Sequence, residues 1–112
     1  METVIERSAV YRIVEANIDS NKFKVRVNDK TYLNGKEVLL DKGDVTLTYL
    51  GETLTEDVDY YIDSSTYKNN INKGVASVVI RAIDRTGDGN NNYGGARRIT
   101  FKIKSKGILW FM

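Results

Sequence analysis

The sequence predicts an all-β protein, an antiparallel sandwich of short strands. Three observations carry this expectation. Runs of alternating apolar and polar residues recur roughly every eight to twelve residues, with turn signals between them. The runs are rich in β-branched residues and in Tyr, of which there are seven, while Gly, Asn and Asp make the turns and Pro is absent. No stretch of the 112 residues shows a clean helical stripe. The length suits one domain with its own core.

Taken in order, Thr3–Ala16 fits neither strict alternation nor a helical face; its β-prone Tyr11–Val14 predicts a first strand behind a loose arm. Asn17–Lys22 has turn composition. Phe23, Val25 and Val27 alternate with Lys22, Lys24 and Arg26, the pattern of a half-buried strand. Asn34-Gly35 is the pair best suited to a two-residue turn with positive φ, here between Tyr32-Leu33 and Val38–Leu40. Asp41–Asp44 turns into the alternating Val45, Leu47 and Tyr49, and Leu50–Thr53 closes a short hairpin onto Leu54. Val58, Tyr60 and Ile62 predict the next strand, and Ser64–Lys73 reads as a polar loop.

Val75–Ala82 is the most apolar run and the expected centre of the fold. Val75, Ser77, Val79 and Arg81 should face one side and Ala76, Val78, Ile80 and Ala82 the other. Arg85–Gly95 is a long Gly- and Asn-rich connection. In the last strand Ile99, Phe101 and Ile103 alternate with Arg98, Thr100, Lys102 and Lys104, which leaves one wet basic face. The apolar run Ile108–Met112 follows, a hazard if left uncovered, and is expected to pair as a strand, pack on the domain or dock on a neighbour. The spacing points to an immunoglobulin-like Greek key, with a small barrel as the alternative. The expected organisation is an arm and first strand over 1–22, the immunoglobulin-like domain over 23–104, and an apolar tail over 105–112.

Composition excludes much chemistry. Without Cys there are no disulfides or thiolate sites, and without His the usual base and metal ligand are gone. Zinc, copper and the ordinary nucleophilic triads are therefore not expected, nor is any cofactor. Seventeen basic and fifteen acidic residues describe a mixed surface rather than a nucleic-acid footprint. No run reaches membrane-spanning length, and Met1–Ser8 lacks the form of a signal peptide. That leaves two expectations, a segment of a longer chain or a small protein used without export.

Several constellations bear on function. Asp84, Thr86 and Asp88 with Gly89 have the opening spacing of a calcium loop, but the twelfth position is Gly95 instead of Glu, and two carboxylates are too few. Asp57, Asp59 and Asp63 would share a strand face; acid pairs serve glycoside hydrolysis only in a cleft, so a solubilising face is expected and no catalytic residue is named. Tyr49, Tyr60, Tyr61, Tyr67 and Tyr93 offer an aromatic platform for a surface glycan, or simply strand packing. Arg97, Arg98, Lys102, Lys104 and Lys106 make a basic strand fit to steer an acidic partner or to stay solvated. The candidate binding residues are Tyr67, Tyr93, Arg97, Arg98, Trp110 and Phe111. A lysine-to-asparagine crosslink is not expected, since Arg98–Lys104 contains no Asn.

In colinear order Tyr32, Asn34-Gly35-Lys36, Val45, Gly51, Leu54, Asp59-Tyr60, Tyr67-Lys68-Asn69-Asn70, Gly74, Ala76, Val78, Tyr93-Gly94 and Phe101-Lys102-Ile103 resemble the immunoglobulin-like repeats of Gram-positive surface proteins. The resemblance covers about Phe23–Lys104, although Val58 stands where a small residue is usual and Arg85–Asn92 is long and charged. It implies a noncatalytic spacer or adhesive unit of a cell-surface protein, whose partners are proteins or neighbouring copies. Two other expectations stay open: a structural or decoration protein of a phage particle or similar assembly, and a carbohydrate-binding accessory module.

Overall fold

A computed structural model of the chain describes residues 16–83 and 93–105. Among these residues the secondary structure is all β, with no helix. The strands are β1 (Ala16–Asn17), β2 (Phe23–Val27), β3 (Lys30–Thr31), β4 (Val45–Tyr49), β5 (Glu52–Thr53), β6 (Tyr60–Lys68), β7 (Gly74–Ala82), β8 (Tyr93–Gly94) and β9 (Ala96–Lys104). A four-stranded sheet has the order β3-β9-β7-β6, a three-stranded sheet the order β2-β4-β5, and β1 pairs with β8.

β7 lies at the interior of the larger sheet. Its antiparallel register with β9 runs from Arg81 opposite Ala96 to Gly74 opposite Ile103. Period-two alternation sends Ala76, Val78 and Ile80 inward with Ile99, Phe101 and Ile103. From the smaller sheet Phe23, Val45 and Leu47 enter the same core, which Tyr60, Leu54, Val38 and Leu40 complete. The core also reaches back before β2, because Ile18 is fully buried. The expected inward and outward faces of Val75–Ala82 and Arg98–Lys104 are the observed ones.

The two-residue turns behave as their sequences require. Asn34 and Gly35 both take positive φ, 56° and 94°, between the bridged pair Leu33 and Lys36. Leu50 and Gly51 do the same between Tyr49 and Glu52, although Leu50 carries a Cβ that resists a φ of 50°. Gly95 has two reasons to lack a side chain: its φ is 80°, and a Cβ there would lie 2.5 Å from Asn17 Oδ1.

The pairing is not wholly antiparallel as expected, since β3 with β9 and β1 with β8 run parallel, and three further expectations differ from the structure. The stretch following the Asn34-Gly35 turn does not fold back as a ladder; Val38 and Leu40 instead cross to the larger sheet. The strand beginning at Tyr60 continues through Lys68, so Ser64–Lys68 is not loop. It carries a bulge: β6 takes five steps from Asp63 to Lys68 while β7 takes two from Val79 to Ser77. Thr66 repairs the ladder there, its Oγ1 accepting the Val79 N–H at 2.8 Å. Finally, Asp57, Asp59 and Asp63 share no strand face, because Asp57 turns at φ 67° and β6 starts only at Tyr60.

Candidate functional site

The described candidate residues, Tyr67, Tyr93, Arg97 and Arg98, sit at two places in the fold, and most are committed to holding it together. Tyr67 is half-buried on β6, its ring edge-on to Phe101 at 6.2 Å. Its hydroxyl accepts the Leu40 N–H at 2.8 Å. Three residues on, buried Asn70 grips the same segment from both sides. Its carbonyl accepts the Val38 N–H at 2.7 Å, and its Nδ2 donates to the Val38 carbonyl at 3.2 Å. Asn69 at φ 56° supplies the bend between them. The Tyr-Lys-Asn-Asn sequence is thus a clasp: it satisfies the backbone of an extended segment that has no ladder partner there, as burial demands.

Tyr93 is half-buried beside Phe23 at 5.9 Å and Tyr49 at 6.0 Å, both edge-on, while Phe23 and Tyr49 stack at 4.4 Å. Burial raises the pKa of the Tyr93 hydroxyl. These rings form one cluster and Tyr67 with Phe101 another, so no single aromatic platform contains all the tyrosines. Tyr60 is core, donating to the Val45 carbonyl at 3.4 Å, with burial pushing its pKa up to about 12.

Arg97 is not part of the basic face. Strand alternation turns it to the side of Ile99 and Phe101, where its guanidinium donates to the carbonyls of Ile18, Ser20 and Phe23 at 3.3, 3.4 and 3.2 Å. It staples the 16–23 segment to the last strand. Arg98 does face outward, donating to Ser77 Oγ at 2.9 Å and the Thr66 carbonyl at 3.2 Å. Lys102 is exposed on the same face, and Lys104 pairs with Asp29 at 2.7 Å. Trp110, Phe111, Lys106 and the Asp84–Asn90 loop lie outside the described residues.

Sequence reasoning missed two charged networks. Lys30 bonds Asp44 at 2.7 Å and Asp41 at 3.0 Å. Burial opposes its charge, yet the bonds to Asp44 and Asp41 outweigh burial and raise its pKa. Asp63 accepts from Ser65 Oγ at 2.6 Å and from Arg81 Nε at 2.7 Å, and these bonds hold its pKa down at about 2. Glu56 is the converse case. Burial and then Asp57 raise its pKa, and its Oε1 is buried without a hydrogen-bond partner.

No family model, curated protein or solved structure matches the chain.

Among the described residues, no three carboxylates converge as a metal site, and no helix is long and apolar enough to cross a membrane. The surface of the described residues includes two open hollows. One, of about 540 Å³, is lined by the Asn69–Val75 turn. The other, of about 450 Å³, lies between β3 and the Glu37–Asp41 segment, with Leu33, Val38 and Leu39 among its lining. Both are open to solvent and flanked by residues fixed through the clasp and the strand ladders.

Proposed function

We propose that the chain is a noncatalytic immunoglobulin-like module, a load-bearing spacer or adhesive unit of a bacterial surface protein. The observation that carries this reading is the parallel pairing of early and late strands. β3 runs parallel to the end of β9, Lys30 opposite Ile103 and Thr31 opposite Lys104, and the Tyr32 N–H extends the contact to the Lys104 carbonyl at 2.9 Å. β1 runs parallel to β8 in the same way, Ala16 opposite Tyr93 and Asn17 opposite Gly94. Tension between the two ends of such a chain slides parallel partners past one another, so their hydrogen bonds resist together instead of opening one by one. Placing Arg97, Tyr67 and Lys30 on long-range fasteners fits a spacer better than a catalyst, whose reactive groups must face a substrate.

The test is single-molecule stretching of tandem copies of a Tyr32→Ala reference, which lacks the ring packed on the core and beneath Lys73, and of a Tyr32→Pro variant, which also deletes one N–H of the parallel pairing. The reading expects a lower unfolding force for the Tyr32→Pro variant than for the reference. Equal forces for the two would remove the load-bearing role.

A second reading, a structural component of a phage particle or similar assembly, is favoured by the exposed apolar side chains Leu33, Leu39, Ile71 and Val75, which lie on or beside the two hollows. Carbohydrate binding by Tyr67 has less support, since its hydroxyl and ring are already engaged.

A further inference from the structure

Charge is sorted along this chain. Glu37–Asp59 contains seven acidic residues against the single base Lys42, whereas Tyr60–Ser105 contains eight basic residues against three acids. Folding brings Glu37 and Asp41 of the first segment, on the hollow beside β3, next to β9, which carries Lys102 and Lys104 of the second. The hollow beside β3 has an apolar floor, with Leu33 and Leu39 about half exposed, and a rim that carries Glu37 together with Asp41, which Lys30 bonds. Asp29, also on that rim, reaches the outer sheet face through its ion pair with Lys104. Two residues back along β9 stands Lys102, opposite Val75, which is 58% exposed on a strand interior to the sheet. Neither Glu37 nor Lys102 has an ion-pair partner among the described residues.

The result is one continuous strip. Acid beside apolar lies on one side, the Asp29–Lys104 pair in the middle, and base beside apolar on the other. A strip of this kind matches itself after a half-turn about its centre, the self-complementarity that a two-fold interface requires. We propose that two copies of the chain associate through it. Val75 and Lys102 of each copy enter the Leu33–Leu39 hollow of the other, where Glu37 meets the lysine. Apolar contact supplies affinity, and the charges set register and speed of association. This association does not rest on the load-bearing reading: sedimentation reports contacts between separate chains, whereas the pulling direction across β3 and β9 reports on the pairing within one folded unit.

The experiment is sedimentation velocity over a concentration series at low and high salt. The full chain is expected to dimerise at low salt and to weaken by about ten-fold or more at high salt, as exposed charge pairs are screened. Glu37→Lys and Lys102→Glu, both at exposed positions, should each abolish the dimer, because each puts like charges together at both contacts. An equimolar mixture of the two variants should restore it, since every contact again joins opposite charges. A wild-type chain that stays monomeric at low salt overturns the proposal, as does a mixture that fails to associate. A dimer that ignores both reversals but is lost when residues 106–112 are removed also overturns it, by naming the tail as the occupant.

Discussion

Replacing Tyr67 with Phe isolates one bond of the clasp. The ring and its edge-on contact with Phe101 remain, so the apolar area buried is nearly unchanged. What disappears is the acceptor for the Leu40 N–H, a bond of 2.8 Å at a residue only 9% exposed. A buried donor left without a partner costs about 1–3 kcal/mol, more than the net gain of forming an ordinary hydrogen bond. Solvent reaching the half-buried hydroxyl position places the expected loss in the lower part of that range, about 1–2 kcal/mol. For a domain of this size that corresponds to roughly 4–8 °C in Tm. Urea unfolding followed by circular dichroism gives the free energy, with an unchanged slope showing that the native fold persists. Asn70→Ala provides the comparison, since it removes only the amide bond to the Val38 carbonyl and leaves the backbone bond in place. A Tyr67→Phe chain within about 0.3 kcal/mol of wild type would show that the hydroxyl does not hold the segment, and the clasp would have to be abandoned.

The remaining expectations concern the turns, the staple and two carboxylates. Leu50→Asn should stabilise by roughly 0.5–1 kcal/mol, because the leucine is 71% exposed and its positive φ is tolerated better by Asn; thermal melts check the sign. Arg97→Met should cost about 1–2 kcal/mol by releasing three carbonyls, and faster amide exchange confined to residues 16–23 would distinguish loss of the staple from general loosening. Asp63 is depressed from 3.8 to about 2, so its contribution to stability is complete above about pH 4 and disappears as pH falls toward 2. In acid titrations Asp63→Asn should remove that part of the slope. Glu56 has the opposite sign: its raised pKa means that the folded state disfavours the ionised form, so Glu56→Gln should melt higher than wild type at neutral pH and lose that advantage in acid.

How far the sequence disclosed this molecule can be judged from particular residues. Val75–Ala82 and Arg98–Lys104 were readable because strict alternation is a local signal, and both strands obey it. The same alternation, applied one residue further, would have set Arg97 with Ile99 and Phe101 on the inner side; grouping it with Arg98 by charge hid the staple. Ser64–Lys68 was hidden because the bulge breaks the period and hydroxyl side chains replace ladder bonds, so its polarity imitates a loop. The path of Val38–Leu40 was illegible for a different reason. Its partners Tyr67 and Asn70 lie 27 and 32 residues away, and no window along the chain contains both halves of the clasp. Ile18 illustrates the same limit: a single apolar residue within a polar turn gives no periodic signal, yet it is fully buried.

Direction-dependent stretching tests the load-bearing account most directly, and the absence of native Cys allows thiol handles at chosen exposed positions. Handles at Asp29 and Ser105 pull β3 against β9 in shear, whereas handles at Lys73 and Ser105 open the antiparallel β7–β9 ladder from the Gly74–Ile103 end, one pair at a time. The account predicts a clearly higher rupture force for the first geometry. Equal forces, or a stronger second geometry, would contradict it.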